Sequence, residues 1–237
     1  MITLRAFRAI DNTVSSQRSF DGHHSVLKQY GVSNLTSASA DWMENPNVYA
    51  LTAEIDDDRS QDCESGSDAR LLGGIRIHKW SPHYPLPVEV ALRELEPRFD
   101  AVLHSHQDSG AGEVAGMWIG DGLSQRGVAP ILLRAAISIT NQLSVPTLFG
   151  FCPEHTYPIL RSMGFGVIHS LGSNGEFAYP TSKYVSRLIQ MDTNTLESTN
   201  PFNRQLIVSL RARPMQECIE IGPSGEFLVA YNLDLGL

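Results

Sequence analysis

The stretch of sequence that decides the fold reads EVAGMWIGDGLSQRGVAPILLRAAISITNQL, from Glu113 to Leu143. Its first seven residues form a short, mainly apolar run that ends at Gly120, a pattern typical of a β-strand. Pro130–Leu143 predicts a helix, because neither Gly nor Pro interrupts it after Pro130 and its apolar residues recur at helical spacing. A strand, a loop and a long helix are therefore predicted in direct succession.

The loop Ser124–Ala129 lies between this strand and this helix. The open end of a helix presents free backbone N–H groups and the positive end of the helix dipole, so such a loop favours anions. Gly127 lets a phosphate approach the backbone closely, and Ala129 keeps the rim of the loop small. Pro130 suits a first helical turn, where a missing N–H costs no helical bond. The loop predicts a phosphate cradle, with an ordinary strand-to-helix connection as the alternative.

Further elements are predicted on both sides of this stretch. The acidic, serine-rich segment 56–68 is a loop between two strands. We expect strands at Tyr49–Ile55, Arg70–His78, Pro146–Phe151, Gly166–Leu171 and Tyr184–Gln190, and helices at 88–104 and Glu154–Met163, the latter ending at Gly164.

We assign residues 1–195 to one domain and residues 196–237 to a β-rich C-terminal extension. The extension contains two strand-like runs, Gln205–Leu210 and Glu217–Tyr231. The second run is broken at Gly222–Gly225, which is a hairpin turn signal.

Composition restricts the class of protein. The net charge of −8 on 237 residues argues against nucleic acid as a partner, because phosphates need a basic surface. No stretch reaches the ~18 apolar residues of a membrane span, and the residues after Met1 lack the apolar core of a secretory signal. We therefore expect a cytoplasmic protein. The three scattered cysteines argue against a disulfide framework and against a cysteine zinc site.

The order of the predicted elements and the loop motif resemble those of the GNAT N-acetyltransferase superfamily. In that family the loop reads Q/R-x-x-G-x-G/A, and here Gly127 and Ala129 match its fourth and sixth positions while Ser124 stands at the first. Met163-Gly164-Phe165 also looks like the motif that closes the family's core. The resemblance implies an α+β fold, with a mixed, mostly antiparallel sheet flanked by helices.

The same resemblance implies acyl-CoA or acetyl-CoA as co-substrate and no metal. The strands on either side of the loop and its helix are expected to splay apart and hold the thioester. The implied cofactor-binding residues are Met117, Trp118 and Ile119 for the pantetheine amides, and Gln125, Arg126, Gly127, Val128 and Ala129 for the pyrophosphate.

A narrower resemblance rests on four segments, Gly74–Arg76, Leu86–Glu89, Glu113–Ile119 and Gly164–Tyr179. They are similar to the acyl-homoserine-lactone (autoinducer) synthases and the long-chain N-acyl amino acid synthases. The corresponding strand of those enzymes reads E-x-S-R, whereas Ala115 and Gly116 replace Ser and Arg here.

The narrower resemblance implies transfer of an acyl group from acyl-CoA or acyl carrier protein to the amine of a small molecule such as an amino acid. An acetyl-CoA-dependent N-acetyltransferase and a non-catalytic binding module are the alternatives. A homodimer is left open. An acyl chain would need an apolar tunnel, whose predicted walls are Trp118, Leu148, Phe149, Phe151, Ile168 and Leu171.

Each candidate site residue has a functional and a structural interpretation. Glu113 is a candidate base for the acceptor amine, or else a strand carboxylate paired with Arg76. Arg76 is predicted to point away from Ile75 and Ile77, where it binds an acceptor carboxylate or is solvated. Glu89 contacts substrate or stabilises the first turn of a helix.

The sequence contains two further candidate sites. Many GNAT enzymes place a protonating tyrosine four residues before the final glycine, where this chain has Leu160. Tyr157, one helical turn earlier, is the candidate to replace it, with ordinary packing as the alternative. His104 and His106 form an H-x-H pair that suggests a metal-dependent hydrolase, but no third ligand has convincing spacing, so solvent-exposed histidines are expected.

Overall fold

The structure is a computed structural model that describes residues 1–32, 35–55, 69–120, 127–223 and 225–237. The predicted loop 56–68 and the cradle residues Ser124, Gln125 and Arg126 lie outside the described residues. Within the described ranges the strands are β1 (Ile2–Arg8), β2 (Val48–Ile55), β3 (Arg70–Lys79), β4 (Ala111–Ile119), β5 (Thr147–Pro153), β6 (Gly166–Val167), β7 (Glu176–Ala178), β8 (Val185–Asp192), β9 (Met215–Gly222) and β10 (Gly225–Asn232). The helices there are α1 (Thr13–Gln29), α2 (Pro87–Leu92), α3 (Arg98–His104), α4 (Val128–Ile139), α5 (Tyr157–Ser162) and α6 (Pro201–Ala212).

All ten strands belong to one sheet. Its order is β6-β8-β5-β4-β3-β2-β1-β10-β9, and β7 also pairs with β8. The pairs β4–β5 and β1–β10 are parallel, and the other pairs are antiparallel. The predicted α+β fold, with a mixed, mostly antiparallel sheet flanked by helices, is confirmed.

The centre of the sheet opens between β4 and β5. These strands are in register only where Ala111–Val114 lies opposite Thr147–Gly150, although β4 continues to Ile119 and β5 to Pro153. The connection between them contains α4, as a parallel pair requires a crossover. The predicted splay on either side of the loop helix is therefore confirmed.

Alternation along β3 separates two layers. Ile75 and Ile77 point into the main core, which also contains most of α4. Ten of the twelve residues of α4 are buried, because this helix is enclosed by the sheet and by α6. Gly74, Arg76 and His78 face the opposite side, where α1 and α2 cover the sheet.

The predicted helix over 88–104 is wrong in its extent. Two short helices, α2 and α3, replace it. Pro97 is the N-cap of α3, and the ring and missing N–H of proline prevent one continuous helix through this point. The predicted strand Gly166–Leu171 is likewise shorter, since only Gly166 and Val167 pair with β8.

The predicted strand Gln205–Leu210 is also wrong, because these residues lie in α6. The side chain of Asn200 accepts a hydrogen bond from the N–H of Asn203 at 2.8 Å, and Pro201 occupies the first turn. This pair of helix-start signals overrides the β-branched residues that follow.

The hairpin turn predicted at Gly222–Gly225 joins β9 to β10. β10 then pairs with β1, so the C-terminal residues extend the same sheet. The assignment of residues 1–195 and 196–237 to separate functional units stays a prediction. No helix of the described residues is both long and apolar enough to cross a membrane.

Candidate functional site

The opening between β4 and β5 begins at a β-bulge. Gly74 and Arg76 on β3 pair with Trp118 and Ala115, so three residue steps on β4 match two on β3. Gly116 has a φ of +58°, the left-handed conformation that glycine adopts in such bulges. A bulge leaves one residue without a regular ladder partner. Backbone polar groups of β4 are therefore released from the ladder at the point where β4 leaves β5.

Arg76 places a buried guanidinium against this bulge. A Cβ atom added at Gly116 would lie 2.5 Å from Cζ of Arg76. Arg76 is 1% exposed, and its Nη2 donates to the carbonyl oxygen of Ser37 at 2.5 Å. Its Cζ lies 4.3 Å from the centre of the Trp42 ring, within cation–π distance.

Two nitrogens of Arg76, Nε and Nη1, have no hydrogen-bond partner among the described residues. Burial lowers the pKa of Arg76 to about 9, against the opposing effect of Glu113, so the side chain remains charged at neutral pH. A buried charge with unused N–H groups is costly unless an anion pairs with it. The predicted orientation away from Ile75 and Ile77 is confirmed, and the alternative of a solvated arginine is wrong.

Glu113 lies one strand away from Arg76, opposite His78 in the β3–β4 ladder. It is 3% exposed, and its Oε2 accepts a hydrogen bond from the N–H of Val88 at 2.7 Å. Burial raises the pKa of Glu113 to about 8, while the Val88 N–H and the charge of Arg76 lower it and Glu89 raises it. No ion pair joins Glu113 to Arg76, so the salt-bridge alternative is wrong in its geometry.

Two buried histidines complete this polar layer. His78 follows Arg76 by two residues on the same face of β3, and His23 comes from α1. Burial and the charge of Arg76 lower the pKa of His23 to about 3 and that of His78 well below its usual range. Nε2 of His78 is buried, with no hydrogen-bond partner in the described ranges. Both imidazoles are therefore neutral at pH 7.

The described part of the predicted phosphate cradle begins at Gly127. This residue is the N-cap of α4 and has a φ of +76°, which favours glycine. Val128 is buried and Ala129 is half-buried in the first turn of the helix. A Cβ atom at Gly127 would lie 3.2 Å from Cα of Gly222 and 3.4 Å from Cδ of Pro223. The cradle glycine is thus in contact with the turn between β9 and β10.

No known family model matches the chain, and no curated protein matches its sequence. Solved structures match it at low sequence identity. FeeM, an N-acyl amino acid synthase from uncultured soil microbes, is 14% identical over 86% of this chain and 98% of its own, with a TM-score of 0.61. An acyl-CoA N-acyltransferase from Pseudomonas aeruginosa is 10% identical over 81% of this chain and 99% of its own, with a TM-score of 0.53.

A third similar structure is BjaI, a CoA-dependent acyl-homoserine lactone synthase solved with SAM and isopentyl-CoA. It is 13% identical over 90% of this chain and 89% of its own, with a TM-score of 0.51. Each of these three structures is similar in fold to this chain over most of both chains. The chain has the GNAT acyltransferase fold.

The remaining predicted site residues lie in different parts of the GNAT fold, and not all of them border the opening between β4 and β5. Met117 and Ile119 are half-buried on the part of β4 that no longer pairs with β5, whereas the Trp118 ring is buried against Gly22 of α1. Tyr157 begins α5, just beyond the open end of β5, and Cζ of Arg187 lies 5.2 Å from the centre of its ring. Glu89 caps α2 by accepting the N–H of Leu86 at 3.2 Å.

The predicted tunnel walls divide between three places in the GNAT fold. Four of them, Phe149, Phe151, Ile168 and Leu171, belong to one aromatic-rich cluster on the Glu113 side of the sheet. Leu148 points into the main core instead, because neighbouring residues of a strand face opposite sides. The side chain of Trp118 belongs to neither cluster and packs on α1. The common wall proposed for all six residues is therefore wrong.

Several contributors to the site were missed from the sequence, among them His78, Ser37 and Trp42. His78 had a usable signal, because strand alternation puts Gly74, Arg76 and His78 on one face. Ser37 and Trp42 had none, since both lie in irregular segments outside regular periodicity.

Two features lie away from the site. An open cleft of about 420 Å³ next to His106 and Thr147 lies at the end of the sheet where β4 and β5 are still paired, opposite the opening. Nδ1 of His104 donates to the carbonyl oxygen of Asp100, and Nδ1 of His106 lies 3.3 Å from Oγ1 of Thr147. Among the described residues, no group of three or more His, Cys, Asp or Glu side chains is arranged to hold a metal ion.

Proposed function

We propose that this chain is an N-acyltransferase that moves an acyl group from a pantetheine thioester to the amine of a small molecule bearing a carboxylate, such as an amino acid. The observation that carries this proposal is the buried Arg76. Its guanidinium lies at the bulge of a GNAT-fold opening, and two of its nitrogens find no hydrogen-bond partner in the part of the chain that the structure describes. A planar carboxylate can accept two parallel N–H groups along one edge of a guanidinium, such as those of Nη1 and Nη2.

The donor half of the proposal rests on the fold and on Gly127. The opening between β4 and β5 gives the thioester a route to the bulge, with backbone groups of Met117–Ile119 as partners for the pantetheine amides. The N-terminus of α4 supplies N–H groups and a positive dipole for the diphosphate of CoA. Acyl carrier protein as an alternative donor remains part of the proposal, because the pantetheine is common to both.

In the proposed reaction Glu113 takes a proton from the acceptor ammonium group. The free amine attacks the thioester carbonyl, and a backbone N–H at the bulge stabilises the oxyanion. The C–S bond then breaks, and the nitrogen loses its second proton to become the amide. The leaving thiolate takes a proton from Tyr157, its proposed donor, and the proton released by the nitrogen restores Tyr157 through solvent. Glu89 caps α2 in this scheme, with a contact to the substrate as its second proposed role.

The acceptor test compares an amino acid with its decarboxylated amine, using decanoyl-CoA as donor. Arg76→Gln should raise the KM for the amino acid at least tenfold, because the carboxylate loses its partner, and should leave the KM for the amine within twofold. Initial rates over a range of acceptor concentrations measure both values. Equal effects on the two acceptors would contradict carboxylate binding by Arg76.

An acetyl-CoA-dependent N-acetyltransferase is the second candidate, and one observation favours it. The aromatic cluster beside the opening is filled, with Phe99 and Phe149 rings 5.4 Å apart and Phe151 and Phe177 rings 5.7 Å apart. A short acyl group needs no space there. Tight CoA binding without turnover on any acceptor would instead indicate a non-catalytic binding module.

A further inference from the structure

The turn of the C-terminal hairpin reaches the cradle at the N-terminus of α4. Besides Gly222 and Pro223, the ring of Phe227 comes within 4.0 Å of the position of a Cβ at Gly127. Phe227 pairs with Glu220 across the hairpin, so both side chains face α4. Leu228 pairs with Ile219 on the other face and is 40% exposed. The hairpin therefore presents one side to the cradle and the other to solvent.

A buried polar network fixes the hairpin to α4. Nη2 of Arg134 donates to Oε2 of Glu220 at 2.5 Å, and Nη1 donates to Oδ1 of Asn203 on α6 at 3.1 Å. The hydroxyl group of Tyr231 donates to Oε1 of Glu220 at 2.6 Å. All four side chains are buried, so removing Arg134 or Glu220 would leave an uncompensated buried charge. The network holds the hairpin at a defined position beside the cradle.

The strand order indicates the direction in which a bound CoA donor extends across the protein. The hairpin turn lies at the same end of the sheet as the C-terminus of β4, as the ladder Val229–Ile2–Ile55–Arg70 and the pair Gly73–Ile119 demonstrate. In the order β5-β4-β3-β2-β1-β10-β9, the opening and the hairpin lie on opposite sides of β3 and β2, over which α4 packs. If the diphosphate of CoA lies at Gly127 and the pantetheine extends toward the opening, the nucleotide on the other side of the diphosphate extends toward the hairpin.

We infer that the side of the β9–β10 hairpin formed by Pro223 and Phe227 is a wall of the donor site and contacts the nucleotide end of CoA. The inference rests on the proposed function for the position of the diphosphate. A proline ring beside an aromatic ring offers an apolar surface against which a purine base stacks. The hairpin thus makes the chain select a nucleotide-bearing donor over pantetheine attached to a carrier.

The test measures the dissociation constants of CoA and of 4′-phosphopantetheine by calorimetry on the full chain. The ligands share the pantetheine and its phosphate, but only CoA carries the nucleotide. Phe227→Ala and Pro223→Ala should weaken CoA at least fivefold and leave 4′-phosphopantetheine within twofold. Leu228→Ala, on the solvent side of the same hairpin, should change neither. Far-ultraviolet circular dichroism checks that each variant is folded.

Unchanged CoA affinity in folded Phe227→Ala and Pro223→Ala would overturn the inference while leaving the proposed function intact. Equal weakening of both ligands would also overturn it, because the hairpin would then act only by supporting α4. If the unmodified chain binds neither ligand, the proposed function fails, and the inference fails with it.

Discussion

A carboxylic acid with a pKa of about 8 holds its proton through most of the neutral range, and Glu113 is such a group. As a base it becomes competent only when that proton leaves. The neutral state of His78 and His23 adds no positive charge to hold the carboxylate ionised. The burial that raises the pKa of Glu113 thus sets the pH at which the proposed reaction runs.

The first residue-scale prediction follows from this pKa. The kcat/KM of the unmodified chain should rise with pH and level off above about 8, because kcat/KM reports ionisations of the free enzyme. Glu113→Gln should lower kcat by roughly 10²–10⁴ and abolish the rise. Glu89→Gln, which removes a neighbouring carboxylate, should keep it. A rise that persists in Glu113→Gln would assign the base to another group.

The raised pKa of Glu113 should also make the free energy of unfolding depend on pH, without any substrate. The pKa of Glu113 rises from 4.5 to about 8 on folding, so between these values the folded chain binds more protons than the unfolded chain. The free energy of unfolding contributed by this group is therefore present below about pH 4.5 and is lost as the pH rises toward 8.

Urea denaturation at pH 5, 6, 7 and 8 measures this effect. Glu113→Gln should show a flatter decline of unfolding free energy across the series than the unmodified chain. Parallel declines would mean that the carboxyl group is more solvated than the structure indicates.

At this scale the sequence was informative about which residues matter and uninformative about their partners. Alternation around Ile75 and Ile77 correctly oriented Arg76. It could not show that Ser37 and Trp42 would enclose the guanidinium, because both come from a segment without regular periodicity. It also could not show that Val88, not Arg76, would hydrogen-bond Glu113.

At the scale of elements, strands were predictable and connections were not. Apolar runs bounded by turn residues located β2, β3, β4 and β5 within two residues of their bounds. The strand prediction for Gln205–Leu210 was wrong because its β-branched residues fit strand and helix patterns equally well. The signal that decides for a helix lies upstream, at Asn200-Pro201. The close contact between Gly127 and Gly222 joins elements nearly a hundred residues apart and has no local signal.

The contact between Gly127 and Gly222 changes how the effect of a substitution at Gly127 must be interpreted. Gly127→Asp should abolish CoA binding because a negative charge meets the diphosphate, yet any side chain there also meets the hairpin turn and a φ of +76°. Gly127→Asn is the matched control, since it has the same shape without the charge and tolerates this φ comparably. Calorimetry should show at least tenfold weaker CoA binding for Asp than for Asn. Equal affinities would leave only the hairpin contact as the reason for this glycine.

At the scale of the whole molecule, the length of the acyl chain that the protein binds distinguishes the two proposed transferases. The cluster of Phe149, Phe151, Ile168 and Leu171 lies beside the opening on the side of Glu113. Each methylene buried there contributes about 0.8 kcal/mol, so six add ~5 kcal/mol if the rings make room. We predict that medium or long acyl donors bind at least tenfold tighter than acetyl-CoA.

Competition binding with acetyl-, hexanoyl-, decanoyl- and palmitoyl-CoA, repeated with the corresponding acyl carrier proteins, measures this prediction. Phe149→Ala should increase the preference for longer chains by opening the cluster, whereas Leu148→Ala, on the opposite face of the same strand, should not. Equal affinity across the CoA series, or turnover with acetyl-CoA alone, would leave an ordinary N-acetyltransferase.

The pairing of β1 with β10 has a consequence for how the chain is made. Residues 2–8 leave the ribosome well before residues 225–232, which complete one side of β1. Until then β1 presents a free edge, and such edges recruit other strands. A nascent chain stalled before residue 225 should therefore depend on chaperones to stay unaggregated, and release of the last hairpin should end that dependence.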